Sequence, residues 1–350
     1  MAYTTIDNPE LYFQTKLFTG TGSSNSVTLD GSENMRPDWV WIKNRDSGSL
    51  GSQLHDVIRG TTKRLFSNST DAEETDANGL TAFNSNGFTL GSNVGVNQSS
   101  SNMVAWNWSA GGSASSNSDG SITSTVSANT TAGFSIVSFT GNATAGATIG
   151  HGLGVTPKWV IVKNRSNAQN WFIYHEGIGA TKVIYLDLAN ASQTLTQGWN
   201  DTAPTSSVVS LGTEAGTNQS GANMIAYCFA EKKGYSKFGS YIGNQSTAGP
   251  FVFTGFRPAF VMVKRTDSTS DWLMCDNKRP GFNPIDDKLF ANTNQAEDPY
   301  EAFDFVSNGF KVTSAGTGHN ASGANMIYMA FAENPFVGND SGTAVPVTAR

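Results

Sequence analysis

Short hydrophobic runs, separated by Gly, Asn, Asp and Ser, cover the chain from end to end. The run Trp39–Lys43 is apolar at almost every position, which is typical of a strand buried on both faces. Helical periodicity extends over a turn or two at most, near residues 71–74 and 295–298. Many short strands with polar turns predict an all-β fold of the β-sandwich or jelly-roll type.

One pattern occurs three times along the chain. Each copy opens with a strand-like run that ends in glycine, continues with a proline and a hydrophobic strand, and closes with Asn-Met and an apolar run. The proline and methionine pairs are Pro37 and Met103, Pro157 and Met224, and Pro258 and Met326. Their separations are 66, 67 and 68 residues. This spacing predicts three tandem homologous β-sandwich domains, each of about 110 residues.

We place the domain boundaries near residues 112 and 232. This gives repeat 1 (residues 1–112), repeat 2 (residues 113–232, including a linker strand) and repeat 3 (residues 233–350, including a C-terminal tail). Equivalent buried strands are expected at Trp39–Lys43, Trp159–Lys163 and Phe260–Lys264.

The two connections between the repeats differ in composition. Ser109–Gly133 is rich in Gly, Ser, Thr and Asn, which indicates a linker with enough β-branched residues for one strand at Ser121–Val126. The join at Glu231–Gly234 is abrupt, so repeats 2 and 3 are expected to pack closely. The tail after Phe336 would act as an arm if it docked against a neighbour.

Composition and charge narrow the classes of function. With 38% hydrophobic residues the chain can build real cores, and its 37 Gly and 32 Asn suit polar turns. A net charge of −6 and a pI near 5.2 argue against nucleic acid as a partner. No apolar run approaches the roughly 18–20 residues that span a bilayer. The N-terminus resembles no signal peptide, and Cys228 and Cys275 are expected to stay unpaired, so folding in a reducing cytoplasm is predicted.

Three ligand-type pairs follow the repeat prolines at similar distances: His55-Asp56, His175-Glu176 and Cys275-Asp276. A histidine beside a carboxylate can bind metal or move protons. Neighbours on a strand point to opposite faces, however, and two ligands per copy are too few for zinc. These positions are therefore interpreted as structural.

Other candidate sites also favour structural interpretations. The Asp286-Asp287 pair would suit Ca²⁺ but is expected to be solvated loop. The Asn-x-Ser strings at Asn97, Asn218 and Asn320 match a glycosylation pattern but are expected to be turn residues. Three tryptophans could stack on sugar rings, although core packing or a contact between domains is the more common use: Trp171, Trp199 and Trp272. No nucleophile elbow is found. We predict no catalytic residue, no metal ligand and no cofactor, and leave the binding residues open.

Several strings resemble a module of tail-fibre and other virion proteins of tailed bacteriophages, particularly marine ones. They are Gly150–Arg165, Trp171–His175, Tyr12–Gly20, Asn107–Gly112, Gly234–Tyr241 and Phe256–Val261. The resemblance implies a structural role in a virion and carries no catalytic residues with it. In many relatives the module sits inside far longer chains, whereas here it makes up almost the whole sequence.

The expected function is therefore that of a virion structural protein, in first place a tail-fibre or adhesion protein that contacts the host cell surface. A capsid decoration or head-fibre protein is the alternative, and a polysaccharide depolymerase is the third. Expected partners are other virion proteins and host surface glycan, with no nucleic acid and no membrane. A homotrimer is predicted, although three repeats in one chain would also supply a local threefold arrangement to a monomer.

Overall fold

The computed structural model describes residues 4–337, and nearly all of its regular structure is β-strand. Repeat 1 begins with a short 3-10 helix, Pro9–Leu11. Its strands are β1 (Phe13–Thr19), β2 (Asn25–Thr28), β3 (Trp39–Asn44), β4 (Gln53–Asp56), β5 (Lys63–Phe66), β6 (Glu74–Thr75), β7 (Leu80–Asn84), β8 (Gly87–Leu90) and β9 (Asn102–Trp108). They form a main sheet in the order β1-β9-β3-β4-β5-β6 and a small sheet in the order β2-β8-β7.

Repeat 2 adds two strands in front of this plan. Its strands are β10 (Ser115–Asn117), β11 (Ser124–Asn129), β12 (Phe134–Thr140), β13 (Ala147–Gly150), β14 (Trp159–Asn164), β15 (Phe172–His175), β16 (Lys182–Tyr185), β17 (Gln193–Thr194), β18 (Val208–Leu211) and β19 (Asn223–Phe229). The main sheet runs β10-β11-β12-β19-β14-β15-β16-β17, and β13 pairs with β18 in the small sheet.

Repeat 3 joins its strands into one curled sheet. They are β20 (Ser236–Ile242), β21 (Phe251–Phe253), β22 (Phe256–Arg265), β23 (Leu273–Asp276), β24 (Ile285–Phe290), β25 (Asp298–Val306), β26 (Gly309–Val312) and β27 (Asn325–Pro335). The order is β20-β27-β22-β23-β24-β25-β26-β21, so β20 and β21 are its two edges.

The three repeats share one strand arrangement. In each, the closing strand lies between the opening strand and the strand near the proline: β9 between β1 and β3, β19 between β12 and β14, and β27 between β20 and β22. The register is also equivalent, because Asn102, Asn223 and Asn325 face Thr19, Thr140 and Ile242. The predicted all-β fold is confirmed.

Each main sheet is buried on both faces because its strands alternate between two cores. In β3, Trp39 and Trp41 face a central core, whereas Val40 and Ile42 pack with residues of the small sheet such as Phe88. The predicted strand pattern at this run is correct, and both faces are apolar for this reason.

The central core contains residues of all three repeats. Aromatic rings meet across every boundary: Trp39 and Tyr227 lie 4.6 Å apart, Phe13 and Phe331 5.2 Å, and Trp159 and Trp272 5.8 Å between centroids. The boundaries near residues 112 and 232 fall between the main sheets, while the core runs across them. The division into three separate domains stays a prediction.

Two local predictions are wrong. Residues 71–74 and 295–298 form no helical turn; Glu74 begins β6 and Asp298 begins β25. The one-turn helices lie elsewhere: α1 (Val94–Asn97), α2 (Thr196–Trp199), α3 (Ala215–Asn218) and α4 (Thr317–Asn320).

The strand predicted in the linker at Ser121–Val126 corresponds to β11, three residues further along. The segment as a whole is not a free linker, because β10 pairs with β11 and β11 pairs with β12 of the main sheet. The tail predicted to act as an arm lies, beyond Val337, outside the described residues. No helix among residues 4–337 has the length and apolar character needed to cross a membrane.

Candidate functional site

The best candidates for chemistry are charged side chains buried where the repeats meet. Asp56 ends β4 and is fully buried, and its carboxylate binds the guanidinium of Arg59, which is also fully buried. Tyr227 of repeat 2 donates its hydroxyl to Asp56 Oδ2 at 2.8 Å. The charges neutralise each other inside the protein, and the lone pairs of Asp56 are used by neighbouring groups.

The same arrangement occurs between repeats 3 and 1. Asp276 ends β23 and accepts a hydrogen bond from Arg279 Nε at 2.7 Å. Trp106 of repeat 1 donates its indole N–H to Asp276 Oδ2 at 3.0 Å. Trp106 and Tyr227 stand at the same place in their repeats, four residues after Asn102 and Asn223. The two sites are therefore copies of one contact.

The strand register corrects the predicted His-carboxylate alignment. Asp56 faces Trp39, His175 faces Trp159, and Asp276 faces Phe260. His175 therefore replaces the aspartate, and Glu176, which follows the end of β15, has no counterpart in the ion pairs. The predicted pairing of His175 with Glu176 as an equivalent of His55-Asp56 is wrong by one position, because the loop before β4 is one residue longer in repeat 1.

The junction between repeats 2 and 3 is neutral at this place. His175 Nδ1 accepts the amide of Gly177 at 2.8 Å, and burial lowers the pKa of His175 to about 4. Ile178 stands where the other copies have arginine, three residues after the strand end. Met329, in the position of Trp106 and Tyr227, carries no donor. At this junction the aspartate, the arginine and the donor from the neighbouring repeat are therefore all replaced, by His175, Ile178 and Met329.

A second ion pair lies beside each charged junction. Glu73 of repeat 1 holds Arg165 of repeat 2 through two hydrogen bonds of 2.8 and 2.9 Å. Glu297 of repeat 3 holds Arg45 of repeat 1 in the same bidentate way. Both glutamates lie in the segments that the sequence predicted to be helical turns. At the third junction, Ser192 bonds the backbone of Thr266 instead.

Three buried lysines connect the repeats in a closed ring. Lys43, Lys163 and Lys264 are the second-last residues of equivalent strands, and each ammonium donates to one carbonyl of its own repeat and one of a neighbour. The carbonyls, at 2.5–3.0 Å, belong to Leu50 and Asn294 for Lys43, Gln169 and Thr70 for Lys163, and Ser270 and Ala189 for Lys264. Repeat 1 thus contacts repeat 3, repeat 2 contacts repeat 1, and repeat 3 contacts repeat 2. Burial lowers the pKa of each lysine to about 8.

The tryptophans that were candidates for sugar stacking are buried. Trp171 donates its indole N–H to the Phe66 carbonyl of repeat 1, and Trp272 donates to the Tyr185 carbonyl of repeat 2, both at 2.8 Å. Trp199 packs in the outer core of repeat 2, which lies between its main sheet and its small sheet. Ring faces inside a core cannot stack on a glycan, so the structural interpretation is correct and the carbohydrate interpretation is wrong for these residues.

The asparagines of the three Asn-x-Ser strings are buried, and their side chains hydrogen-bond the backbone of neighbouring loops. Asn97, Asn218 and Asn320 each end a one-turn helix, and all three are fully buried. Asn218 shows the pattern: its amide donates to the Gly212 and Thr144 carbonyls, and its oxygen accepts the Asn142 amide. An amide used in this way is not accessible to a glycosylating enzyme.

The remaining sequence candidates lie apart from one another. Cys228 and Cys275 are free, buried and in different outer cores. Asp286 and Asp287 belong to strand β24 and not to the predicted solvated loop, at an irregularity in its pairing with β25. Within residues 4–337, no three His, Cys, Asp or Glu side chains are grouped to hold a metal ion.

One serine–histidine contact was not predicted. Ser314 Oγ lies 2.8 Å from His319 Nε2 and 3.1 Å from the Tyr300 hydroxyl. Burial lowers the pKa of His319 to about 4, so the ring is neutral at pH 7. A cavity of about 450 Å³, lined partly by Tyr300, His319 and Lys288, lies beside it. Among the described residues no carboxylate hydrogen-bonds the second ring nitrogen, which a Ser-His-Asp triad requires.

No curated protein and no solved structure matches the sequence. A family model described as a domain of unknown function (DUF7483) matches residues 8–335. The match spans the three repeats as one unit, as does the core that they share. The chain belongs to the DUF7483 family.

Proposed function

We propose that this protein is a structural, non-catalytic component of a tailed-phage virion, in first place a tail-fibre or adhesion protein that contacts the host cell surface. The family resemblance of the sequence supports the virion role. Within that role, its partners are other virion proteins and host surface glycan.

The proposal that the protein is not an enzyme rests on where the polar side chains shared by the repeats form their hydrogen bonds. Asp56, Asp276 and the three ring lysines direct their polar atoms at neighbouring repeats and not at a cavity. A catalytic group must reach its substrate, whereas a group that joins repeats needs only the neighbouring repeat. The repeated residues therefore fit a rigid body that presents its outer loops.

Capsid decoration is the second candidate, and the ring of lysine contacts favours it. Three repeats that contact one another in cyclic order would fit a threefold axis of a shell as a single chain. The predicted homotrimer is the alternative way to meet such an axis.

The function is tested by locating the protein in the particle and by cell binding. Labelled antibody should mark the tail, and the purified protein should bind host cells and compete with phage adsorption. Label on the head without cell binding would replace adhesion by decoration, and absence from purified particles would overturn the virion role. Mass measurement at micromolar concentration separates the homotrimer from a 37.1 kDa monomer.

The non-catalytic part has its own test, with the Ser314–His319 contact as the target. Host polysaccharide incubated with the protein should keep its length. Chain cleavage that disappears in Ser314→Ala, with unfolding temperature unchanged, would make the protein a depolymerase.

A further inference from the structure

Repeats 2 and 3 differ in what lies between their two edge strands. In repeat 2 the gap between β12 and β13 is filled by β11, which pairs with β12 from Thr125↔Ser138 to Asn129↔Phe134. Just before β11, Ile122 forms a parallel bridge with Ile149 of β13. An extended segment thus joins the main sheet to the small one.

In repeat 3 the equivalent gap is an open groove. Strand register makes β20 the counterpart of β12, and β21 the counterpart of β13. Between them lies a cavity of about 420 Å³, lined by Lys237–Tyr241 on one side and Phe251–Phe253 on the other. Only five residues, Ala230–Gly234, connect β19 to Tyr235 before β20, so the chain supplies no strand like β11 here.

Both walls of the groove present backbone groups for a further strand. Tyr235 and Gly243 bond toward β27, so the alternation of an antiparallel ladder turns the amides of Phe238 and Ser240 to the groove. On the other wall, Pro250 and Thr254 bond toward β26 and its turn, which directs the backbone of Phe251 and Phe253 to the groove. Two facing edges of this kind are the geometry of strand addition.

One wall of the groove is aromatic where the equivalent strand of repeat 2 is not, and Lys158, Glu176 and Glu231 of repeat 2 also line the cavity. Phe251 and Phe253 are 50% and 52% exposed, and they stand at the positions of Thr148 and Gly150, which bond the inserted segment in repeat 2. Lys237 lies over the Phe253 ring at 5.9 Å. Exposed rings beside unpaired edges indicate a surface that a partner segment covers.

The described chain ends beside this groove. Phe336, just after β27, donates its amide to the Gly255 carbonyl at 3.3 Å, two residues beyond β21. Val337, the last described residue, is 48% exposed. The 13 residues 338–350 follow, and at about 3.3 Å per extended residue they reach along the whole groove.

We propose that residues 338–350 dock in this groove of the same chain as an added strand between β20 and β21. Their sequence resembles the segment that fills repeat 2. There, Asn117-Ser118-Asp119-Gly120 precedes the β-branched run from Ser121; here, Asn339-Asp340-Ser341-Gly342 precedes Thr343–Thr348. Both segments follow the closing strand of a repeat. The inference holds whether or not the protein is a virion component.

Hydrogen–deuterium exchange of the full chain and of a chain ending at Val337 tests the proposal. The amides of Phe238, Ser240 and Phe253 should exchange about tenfold or more faster without the tail. Gly239 and Tyr241 point to β27 and serve as internal controls that should not change. Equal exchange of Phe238 and Ser240 in both chains would overturn the proposal.

A synthetic peptide of residues 338–350 completes the test. It should bind the shortened chain and restore slow exchange at Ser240, and Phe251→Asp with Phe253→Asp should abolish binding. Phe282→Asp is the matched control, because Phe282 is 71% exposed and does not line the groove. If protection in the full chain disappears on dilution, the tail comes from a second copy and the same-chain docking is wrong.

Discussion

The junctions between the repeats solve one packing problem in two ways. Where repeat 1 meets repeats 2 and 3, a buried aspartate binds an arginine and receives a hydrogen bond from the neighbouring repeat. Where repeat 2 meets repeat 3, a neutral histidine, an isoleucine and a methionine take these places. Both kinds of junction close the same central core.

This difference shows that the fold does not require the buried ion pair, since a junction without it closes the same core. Burying two charges costs about as much as their attraction returns, so an apolar set of similar volume can replace the whole pair. An incomplete set is different, since a single charge left inside the protein is uncompensated. The free energy of unfolding should therefore depend more on whether every member of a junction's set is present than on whether the set is charged.

The largest effect should follow the removal of one charge. Asp56→Ala removes the close partner of the buried Arg59 and leaves it only one carboxylate contact, of 3.5 Å with Glu73. The variant should therefore lower the free energy of unfolding by about 3–5 kcal/mol. His175→Ala at the neutral junction should cost about 1–3 kcal/mol, because only packing and one hydrogen bond are lost. Urea unfolding of both variants measures the difference. Equal losses would show that the two junctions do not differ in this way.

Acid should act on the neutral junction through His175, whose folded pKa of about 4 lies below the ordinary value near 6.5. Between these values the unfolded chain binds a proton that the folded protein does not. The stability that the neutral His175 contributes to the folded protein is therefore fully present above pH 6.5 and decreases as the pH falls toward 4. In His175→Phe, the loss of stability between pH 7 and 4.5 should be smaller by about 2 kcal/mol.

Unfolding curves at several pH values check this, with the parent protein as reference. The other buried histidines, His55, His151 and His319, remain in both proteins and cancel in the difference. An identical pH dependence of the parent and His175→Phe would mean that His175 does not titrate differently on unfolding.

The smallest effect should come from the largest change in sequence. Converting the junction of repeats 1 and 2 to the neutral set requires five substitutions: Asp56→His, Arg59→Ile, Glu73→Ser, Tyr227→Met and Asn167→Asp. The last gives Arg165 the local partner that Arg265 has in Asp267. We expect a change within about 1 kcal/mol, far below that of Asp56→Ala alone. Thermal unfolding of the two variants compares them, and a loss as large as that of Asp56→Ala would contradict the idea of complete sets.

The repeats allowed much of the strand structure to be predicted. The runs at Trp39, Trp159 and Phe260 are strands because large apolar residues at successive positions need two buried faces, and each main sheet has two. The acidic segments near Glu73 and Glu297 were misinterpreted because their partners, Arg165 and Arg45, lie in other repeats.

By itself, the sequence determined that the chain is all-β, that its pattern occurs three times, and that Lys43, Lys163 and Lys264 stand at equivalent strand positions. Only the tertiary structure decided which repeats these lysines join, that His175 replaces an aspartate, and that the strand Ser124–Asn129 pairs with β12 in the main sheet. The reason is physical. The alternation of side chains along a strand is written in neighbouring residues, whereas the partner of a buried charge or of a strand edge is supplied by chain far away in sequence.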